Sequence, residues 1–265
     1  MNKIGILGCG WLGFPLAETL IKKGYVVKGT STSSEKIKKL SRLGVKSYHY
    51  LFSPEKTSNS PFFKSIDTLV ITIPFVRRGG PLININNSIA SLVKIIENES
   101  IKKVIYLSSI SVYDSQKGIV DESCNCNPNS NSGIETLKIE NQLNNGNFIT
   151  SHIRLGGLIG KDRHPIYSLS GKKFHKGNEV INLIHQDDAI GVILKVIKNL
   201  NKKNLIFNAV TPFHPSKKEY YSKIADQKNI LPPRFLKAEN IKRIVNSNRV
   251  IKLLNYDFKI DDLNI

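Results

Sequence analysis

Near the amino terminus, Gly8-Cys9-Gly10-Trp11-Leu12-Gly13 sets three glycines in a G-x-G-x-x-G spacing directly after the apolar run 3–7. Between a strand and a helix this spacing suits a diphosphate. Gly8 permits a tight turn, Gly10 lets the main chain approach the phosphates, and Gly13 lets the helix lie close to the strand. The opening of the helix, through Trp11 and Leu12, supplies unpaired amides and the positive end of its dipole. A site for NAD usually ends its second strand with a carboxylate that accepts from the ribose 2′-hydroxyl. Here that position falls on Ser31, within Gly29-Thr30-Ser31-Thr32-Ser33-Ser34-Glu35-Lys36. Ser31, Thr32 and Lys36 would welcome a 2′-phosphate that a carboxylate repels, so NADP is the expected cofactor, with NAD as the alternative. The same serines also suit the cap of the next helix. Cys9 reads as a small residue in a tight place.

Two further groups could meet a substrate. Arg77 and Arg78 precede Gly79-Gly80-Pro81, a loop in which they could clamp a phosphate or carboxylate. Cys124-x-Cys126 has one intervening residue and no second Cys or His pair nearby, so no metal site is expected.

These residues need elements to position them. Apolar runs and glycine stops predict strands at 3–7, 25–30, 45–51, 69–73, 104–107, 148–155, 180–184 and 205–210. Helices are predicted over 11–23, 33–43, 83–98, from about 132 to 143, 188–200, 216–228 and 240–254. Ser216-Lys217-Lys218-Glu219 is a capping-box pattern, and the Asn-rich segment 114–132 reads as a loop. Alternating strands and helices imply a parallel sheet covered on both faces, with its ligand crevice beyond the carboxyl ends of the strands. Those ends are the Gly8 turn, Thr30-Ser31, Pro74, Ser108-Ser109 and Gly156. Pro74, Ser108 and Gly156 therefore join the cofactor-binding candidates.

At 265 residues the chain can bury a full core without staples. Three cysteines make no disulfide framework, which points to a reducing cytoplasm. No apolar run approaches the ~20 residues of a membrane span, and the amino terminus does not read as a signal peptide. The formal net charge is +18. The lysines are spread along the chain as pairs on helix faces, so nucleic acid is not expected, although the field would steer an anionic ligand. The expected partner is a small-molecule substrate, anionic if the arginines grip it, and a homodimer is allowed.

The stretch Tyr106-Leu107-Ser108-Ser109-Ile110-Ser111-Val112-Tyr113 resembles the extended short-chain dehydrogenase/reductase superfamily, the epimerase/dehydratase group. Arg154-Leu155-Gly156-Gly157-Leu158-Ile159-Gly160 and Asn182-Leu183-Ile184-His185-Gln186-Asp187-Asp188 resemble its later segments, in order. Trp11-Leu12-Gly13, Ile73-Pro74 and Asn131-Ser132-Gly133 look most like an atypical subgroup, the YeeZ-like proteins. The resemblance implies an α/β fold: a Rossmann-type doubly wound parallel sheet with a small C-terminal substrate lobe. The Rossmann domain would span 1–155, with 180–210 returning to it, and the lobe would comprise 156–179 and 211–265. It also implies an oxidoreductase or epimerase-like activity on a small carbonyl or hydroxyl substrate. Ser109 would hydrogen-bond the substrate oxygen. Arg163 and His164, just after Gly160, would fall among substrate contacts. His185 and Asp187 would tie a strand to the following helix, with Asp187 as its cap.

One departure from the family pattern matters. The Tyr-x-x-x-Lys pair that should open the helix after the Asn-rich loop is not there, and Ser132 and Thr136 stand at the matching positions. An aliphatic hydroxyl does not replace a phenol whose pKa is lowered by a neighbouring ammonium. Ser132 remains the positional candidate, although Ser132-Gly133-Ile134-Glu135 also reads as a capping box, and Tyr113 is the nearest phenol. The alternative function is a non-catalytic dinucleotide-binding protein, such as a redox sensor. The first 45 residues also resemble β-hydroxyacid dehydrogenases, which end in a large all-helical domain.

Overall fold

The computed structural model describes residues 2–50, 60–74, 85–114, 116–202, 204–236, 243–260 and 263. In chain order the strands are β1 (Lys3–Leu7), β2 (Val26–Ser31), β3 (Lys46–His49), β4 (Thr68–Ile71), β5 (Lys103–Ser109), β6 (Gly118–Val120) and β7 (Ile149–Leu155). They continue with β8 (Gly157–Ile159), β9 (Lys173–Phe174), β10 (Leu183–His185), β11 (Leu205–Ala209), β12 (Arg234–Phe235) and β13 (Arg243–Val245). The helices are α1 (Gly13–Lys22), α2 (Ser34–Arg42), α3 (Ile85–Asn98), α4 (Asn131–Asn144), α5 (Ile166–Leu169), α6 (Gln186–Asn199), α7 (Lys217–Gln227) and α8 (Asn248–Leu254).

One sheet runs β3-β2-β1-β4-β5-β7-β11, with every pairing parallel. Its strands alternate between two apolar faces, as a sheet buried on both sides requires. Ile4, Ile6, Val70, Ile105 and Ile153 meet Leu16 and Leu20 of α1 and Val192, Ile193 and Val196 of α6. Leu7, Leu69, Ile71, Val104 and Tyr106 meet Ile89, Leu92 and Ile96 of α3 and Ile139 and Leu143 of α4. The strand order reverses between β1 and β4, which places the ligand crevice above that junction. Gly24 and Gly44 close α1 and α2 in the left-handed region, at φ +80° and +85°.

A separate cluster of Ile159, Ile166, Ile181, Leu183, Tyr220, Tyr221, Ile224 and Leu263 lies beyond the sheet. Two short parallel pairs, β8 with β10 and β9 with β12, border this cluster, and a third, β6 with β13, packs Val120 and Val245 against Val112, Tyr113 and Val210.

The expected helix over 240–254 is corrected: residues 243–245 form β13, and the helix starts at Asn248. Ile244 and Val245 pair with Ile119 and Val120, inside the segment expected to be a loop. The Asn182 side chain locks this register, donating to Arg243 O (2.8 Å) and accepting from Val245 N (2.8 Å). The strand expected at 180–184 starts later, at Leu183, and pairs with β8 rather than with the large sheet. The capping box at Ser216 forms as the pattern implies. Among the described residues no helix is long and apolar enough to cross a membrane.

Candidate functional site

The glycine turn is built as its spacing implies. Gly8 adopts φ +107°, and a Cβ there would lie 2.4 Å from Ile73 Cγ2. Thr30 ties the turn to β2: its Oγ1 accepts from Gly8 N (2.8 Å) and its carbonyl from Cys9 N (2.6 Å). Thr72 ties it to β4, donating to the carbonyls of Leu7 (3.0 Å) and Gly8. A Cβ on Gly13 would sit 2.3 Å from Gly8 O, so only glycine lets α1 start this close to β1. A Cβ on Gly10 would meet nothing within 4 Å. No side chain caps α1, and among the described residues the amides of Trp11, Leu12 and Gly13 have no backbone partner. Open space above Gly10, beside unpaired amides at a positive helix end, fits a diphosphate. Leu12 offers only its main chain, because its side chain is buried in the core. Cys9 is also buried, and desolvation pushes its thiol up to about 12, which suits a packing residue.

At the end of β2, Ser31 is nearly buried and its hydroxyl accepts from Ser33 N (3.1 Å). Ser33 caps α2 by accepting from Lys36 N (3.3 Å). Thr32 and Lys36 are exposed. His49, opposite Ser31 in β3, places Nε2 3.1 Å from Thr32 O. Pro74 is exposed at the end of the β4 segment, while Gly156 is buried and donates to Ala209 O (3.0 Å). A Cβ on Gly156 would press on Asn182 O at 2.8 Å. Arg77 and Arg78 lie outside the described residues.

Trp11 carries contacts that sequence reasoning did not find. Its indole Nε1 donates to Asp162 Oδ1 (2.7 Å), the Arg163 guanidinium lies 5.0 Å from its ring, and Gln186 donates to its carbonyl (2.8 Å). Asp162 and Gln186 are 151 and 175 residues away in sequence, so no local pattern signals them.

The ends of β5, β7 and β11 hold a different arrangement. Ser109 is half-buried, and its Oγ caps the turn Ile110–Tyr113 by accepting from Ser111 N (3.1 Å). Ser108 points the other way and donates to Glu140 (2.5 Å). Arg154 forks onto both oxygens of Glu140 (3.0 and 2.6 Å) and donates to Tyr113 Oη (2.6 Å). Tyr113 in turn donates to Asn208 (3.0 Å), whose main-chain N–H donates to Glu122 (2.7 Å). Burial would raise the Glu140 pKa, but the Arg154 hydrogen bonds and charge hold it below its ordinary value. Tyr113 is fully buried, and desolvation, partly offset by Arg154, pushes its phenol up to about 12. As placed, Tyr113 and Ser108 bind protein partners in the interior rather than facing the crevice. Glu140 and Arg154 were not singled out as a pair, because a 14-residue separation gives no helical or strand spacing.

Ser132 is exposed in the first turn of α4, and the cap is Ser130, which accepts from Gly133 N (3.1 Å). The expected capping box at Ser132 is thus corrected: the cap lies two residues earlier, as a simple serine cap, because Gly133 has no side chain to close a box. Asp187 does not cap α6: His185 does, accepting at Nδ1 from Asp187 N (3.2 Å). His164 is buried rather than on the crevice rim. Its Nδ1 accepts from Ile166 N (3.1 Å) and its Nε2 meets Tyr220 Oη (2.9 Å), so the interior absorbs both ring nitrogens. Desolvation lowers its pKa to about 4.

The sheet order and the glycine turn define a Rossmann-type α/β protein, whose fold is shared with nucleotide-sugar epimerases. UDP-glucuronic acid 4-epimerase from Bacillus cereus in complex with NAD superposes with a TM-score of 0.82 at 19% identity, covering 97% of this chain and 94% of that one. A functionally unknown conserved protein from Silicibacter pomeroyi DSS superposes at 0.76, with 20% identity over 98% and 94%. A family model described as NADP oxidoreductase coenzyme F420-dependent matches residues 3–80. Protein YeeZ of Escherichia coli (strain K12) is 32% identical over 270 residues, which cover 99% of this chain and 97% of that protein. The chain belongs to the YeeZ family.

Proposed function

We propose that this chain binds a nicotinamide dinucleotide and acts as an oxidoreductase or epimerase-like enzyme on a small carbonyl or hydroxyl substrate. The observation that carries the reading is the Gly8–Gly13 turn, with free space over Gly10 and an uncapped helix start. The turn would hold the diphosphate, and Ser31, Thr32 and Lys36 would hold a 2′-phosphate, so NADP is the preferred form. The bound nucleotide supplies a hydride donor or acceptor. The chain supplies Ser109, whose hydroxyl proton is free to meet a substrate oxygen while its lone pair holds Ser111 N. The part of the chain around α5 and α7, with its own apolar cluster, would close on the substrate. The relatives' printed names support a dinucleotide, since an epimerase of this fold was solved with NAD and the matching family model is named for NADP.

Calorimetric titration with NADPH and NADH tests the reading. Saturable binding is expected, tighter for NADPH. Tighter NADH binding overturns the preference, and no binding of either overturns the reading. Gly10→Val should fold normally and lose binding by more than about tenfold, because the side chain fills the space a diphosphate needs.

A second reading, a dinucleotide-binding sensor without turnover, draws support from the burial of Tyr113 and from the aliphatic hydroxyls Ser132 and Thr136. A panel of carbonyl compounds with NADPH separates the two. Turnover abolished by Ser109→Ala favours the enzyme. Tight binding without turnover favours the sensor.

A further inference from the structure

Trp11 stands inside the glycine turn, yet its side chain is fastened to a loop that follows β8. The loop is a tight one, with Gly160 N donating to Arg163 O (2.9 Å) and Arg163 N to Gly160 O (3.0 Å). Its shape fits the indole closely: a Cβ on Gly160 would lie 2.9 Å from Trp11 Cζ2 and 3.4 Å from Gln186 Cβ. Asp162 takes the indole N–H, Arg163 lies over the ring, and Gln186 holds the Trp11 carbonyl. The loop is therefore joined to the amide turn through the Trp11 side chain by two contacts, and Gln186 at the start of α6 adds a third to the Trp11 main chain.

Arg163 is exposed and enters none of the ion pairs found among the described residues, although Asp162 is its chain neighbour. Asp162 is occupied by the indole instead. A guanidinium held over an aromatic ring keeps N–H donors on its edges for another acceptor. The acceptor-poor neighbour is the turn itself, where Gly10 is open and the amides of Trp11 and Leu12 are unpaired.

We propose that Arg163 contacts the dinucleotide's diphosphate from the side opposite the glycine turn, and that Trp11 and Asp162 are positioning residues that hold it there. This moves Arg163 from the substrate, where the family resemblance put it, to the cofactor. The inference rests on the dinucleotide reading and adds a second, cationic wall to that site. The wall is built by a distant loop that is drawn onto the turn through a single side chain.

Trp11 is the only tryptophan in the chain, so its emission reports the clasp directly. The test titrates NADPH and ADP-ribose into the full chain, following emission and heat, for wild type, Arg163→Ala, Arg163→Lys, Asp162→Ala and the Asp162→Ala/Arg163→Ala double variant. Wild-type emission should change on binding. Arg163→Ala should weaken both ligands by roughly 10- to 100-fold, the range for a lost charge-assisted contact. Arg163→Lys should recover only part of that, because a point charge does not replace the planar fork. Asp162→Ala should weaken binding less, and should have no further effect once Arg163 is gone, whereas a merely structural role would add in full. Both residues are exposed, so the variants should melt like wild type. Wild type that binds neither ligand overturns the dinucleotide reading. Wild type that binds, with Arg163→Ala binding equally well, overturns this inference and leaves that reading standing. A loss confined to a phosphorylated carbonyl substrate, with ADP-ribose unaffected, also overturns it, because the guanidinium then serves the substrate.

Discussion

Two polar regions sit at the carboxyl ends of the same sheet, and they are finished in opposite ways. At the end of β1, among the described residues, the turn leaves three amides without a backbone partner and nothing within 4 Å of a Cβ on Gly10. At the ends of β5, β7 and β11 the groups of Ser108, Glu140, Arg154, Tyr113 and Asn208 are bonded to one another in the interior. Buried charge persists only when it is paired and hydrogen-bonded, so the second region had to be completed internally. The first has no such completion and is open to a ligand. The comparison also divides adjacent residues: Ser108 is sealed into the network, while Ser109 is half-buried and caps the turn Ile110–Tyr113. Polarity near a crevice is thus no guide to chemistry until each donor and acceptor has been traced to its partner.

The largest effect should come from breaking the sealed region. Arg154→Ala strands a buried carboxylate at Glu140 and removes a partner from Tyr113, and should destabilise the chain by about 3–5 kcal/mol in urea denaturation. A change below about 1 kcal/mol would break the comparison, because the network would then not be holding the strand ends. The pH dependence follows from the lowered Glu140 pKa. Stability from this pair is full above the ordinary value of 4.5 and is lost as pH falls through the lower folded value. In Glu140→Gln that part of the acid dependence should vanish.

His164 extends the sealed class to a residue that sequence reasoning assigned to the substrate. It is neutral and buried, with a folded pKa of about 4 against an ordinary 6.5. Only the unfolded chain takes up the proton between those values, so stability from this group is intact above 6.5 and falls as pH drops toward 4. His164→Gln should flatten the stability profile in that window, read from melts at pH 7 and pH 4.5. A wild-type profile already flat there would place His164 among the open groups instead.

Much of the fold was legible in the chain, because glycine stops and strand-length apolar runs act locally. Gly8, Gly13, Gly24 and Gly44 all stand where close contact or left-handed backbone demands them. The three-residue strands β6 and β13 were not legible, because what makes them strands is each other and the bridging Asn182. The site divides along the same line. The dinucleotide turn is one contiguous segment and could be read. The destinations of the Tyr113, Ser108 and His164 side chains depend on Arg154, Glu140 and Tyr220, partners that only folding supplies. That Ser132 and Thr136 occupy the start of α4 was readable too, but not the burial of the Tyr113 phenol.

Within the open region two glycines should respond in opposite ways. Gly13→Ala forces a methyl onto the Gly8 carbonyl, a backbone atom that cannot swing aside, and should destabilise the fold by about 1–3 kcal/mol. Gly10→Val meets no atom and should leave stability within about 0.5 kcal/mol while removing dinucleotide binding. Paired melting and calorimetry check both. Equal destabilisation by the two would mean that the space over Gly10 is not open in solution.

The smallest effect concerns the start of α4. Ser130 accepts from Gly133 N and is the working cap, whereas Ser132 is exposed in the first turn of the helix. Ser130→Ala should therefore cost about 1 kcal/mol. Ser132→Ala should cost less than about 0.5 kcal/mol, since its main-chain carbonyl, not its side chain, holds Thr136 (2.7 Å). This separation gives Ser132→Ala its value, because a stability-neutral variant reports chemistry alone. If it abolishes turnover that Ser109→Ala also abolishes, an exposed aliphatic hydroxyl stands in for the missing phenol and the open region extends to α4. If turnover is unchanged, Ser132 belongs to neither region, and the proton must come from the solvent or from a group beside Ser109.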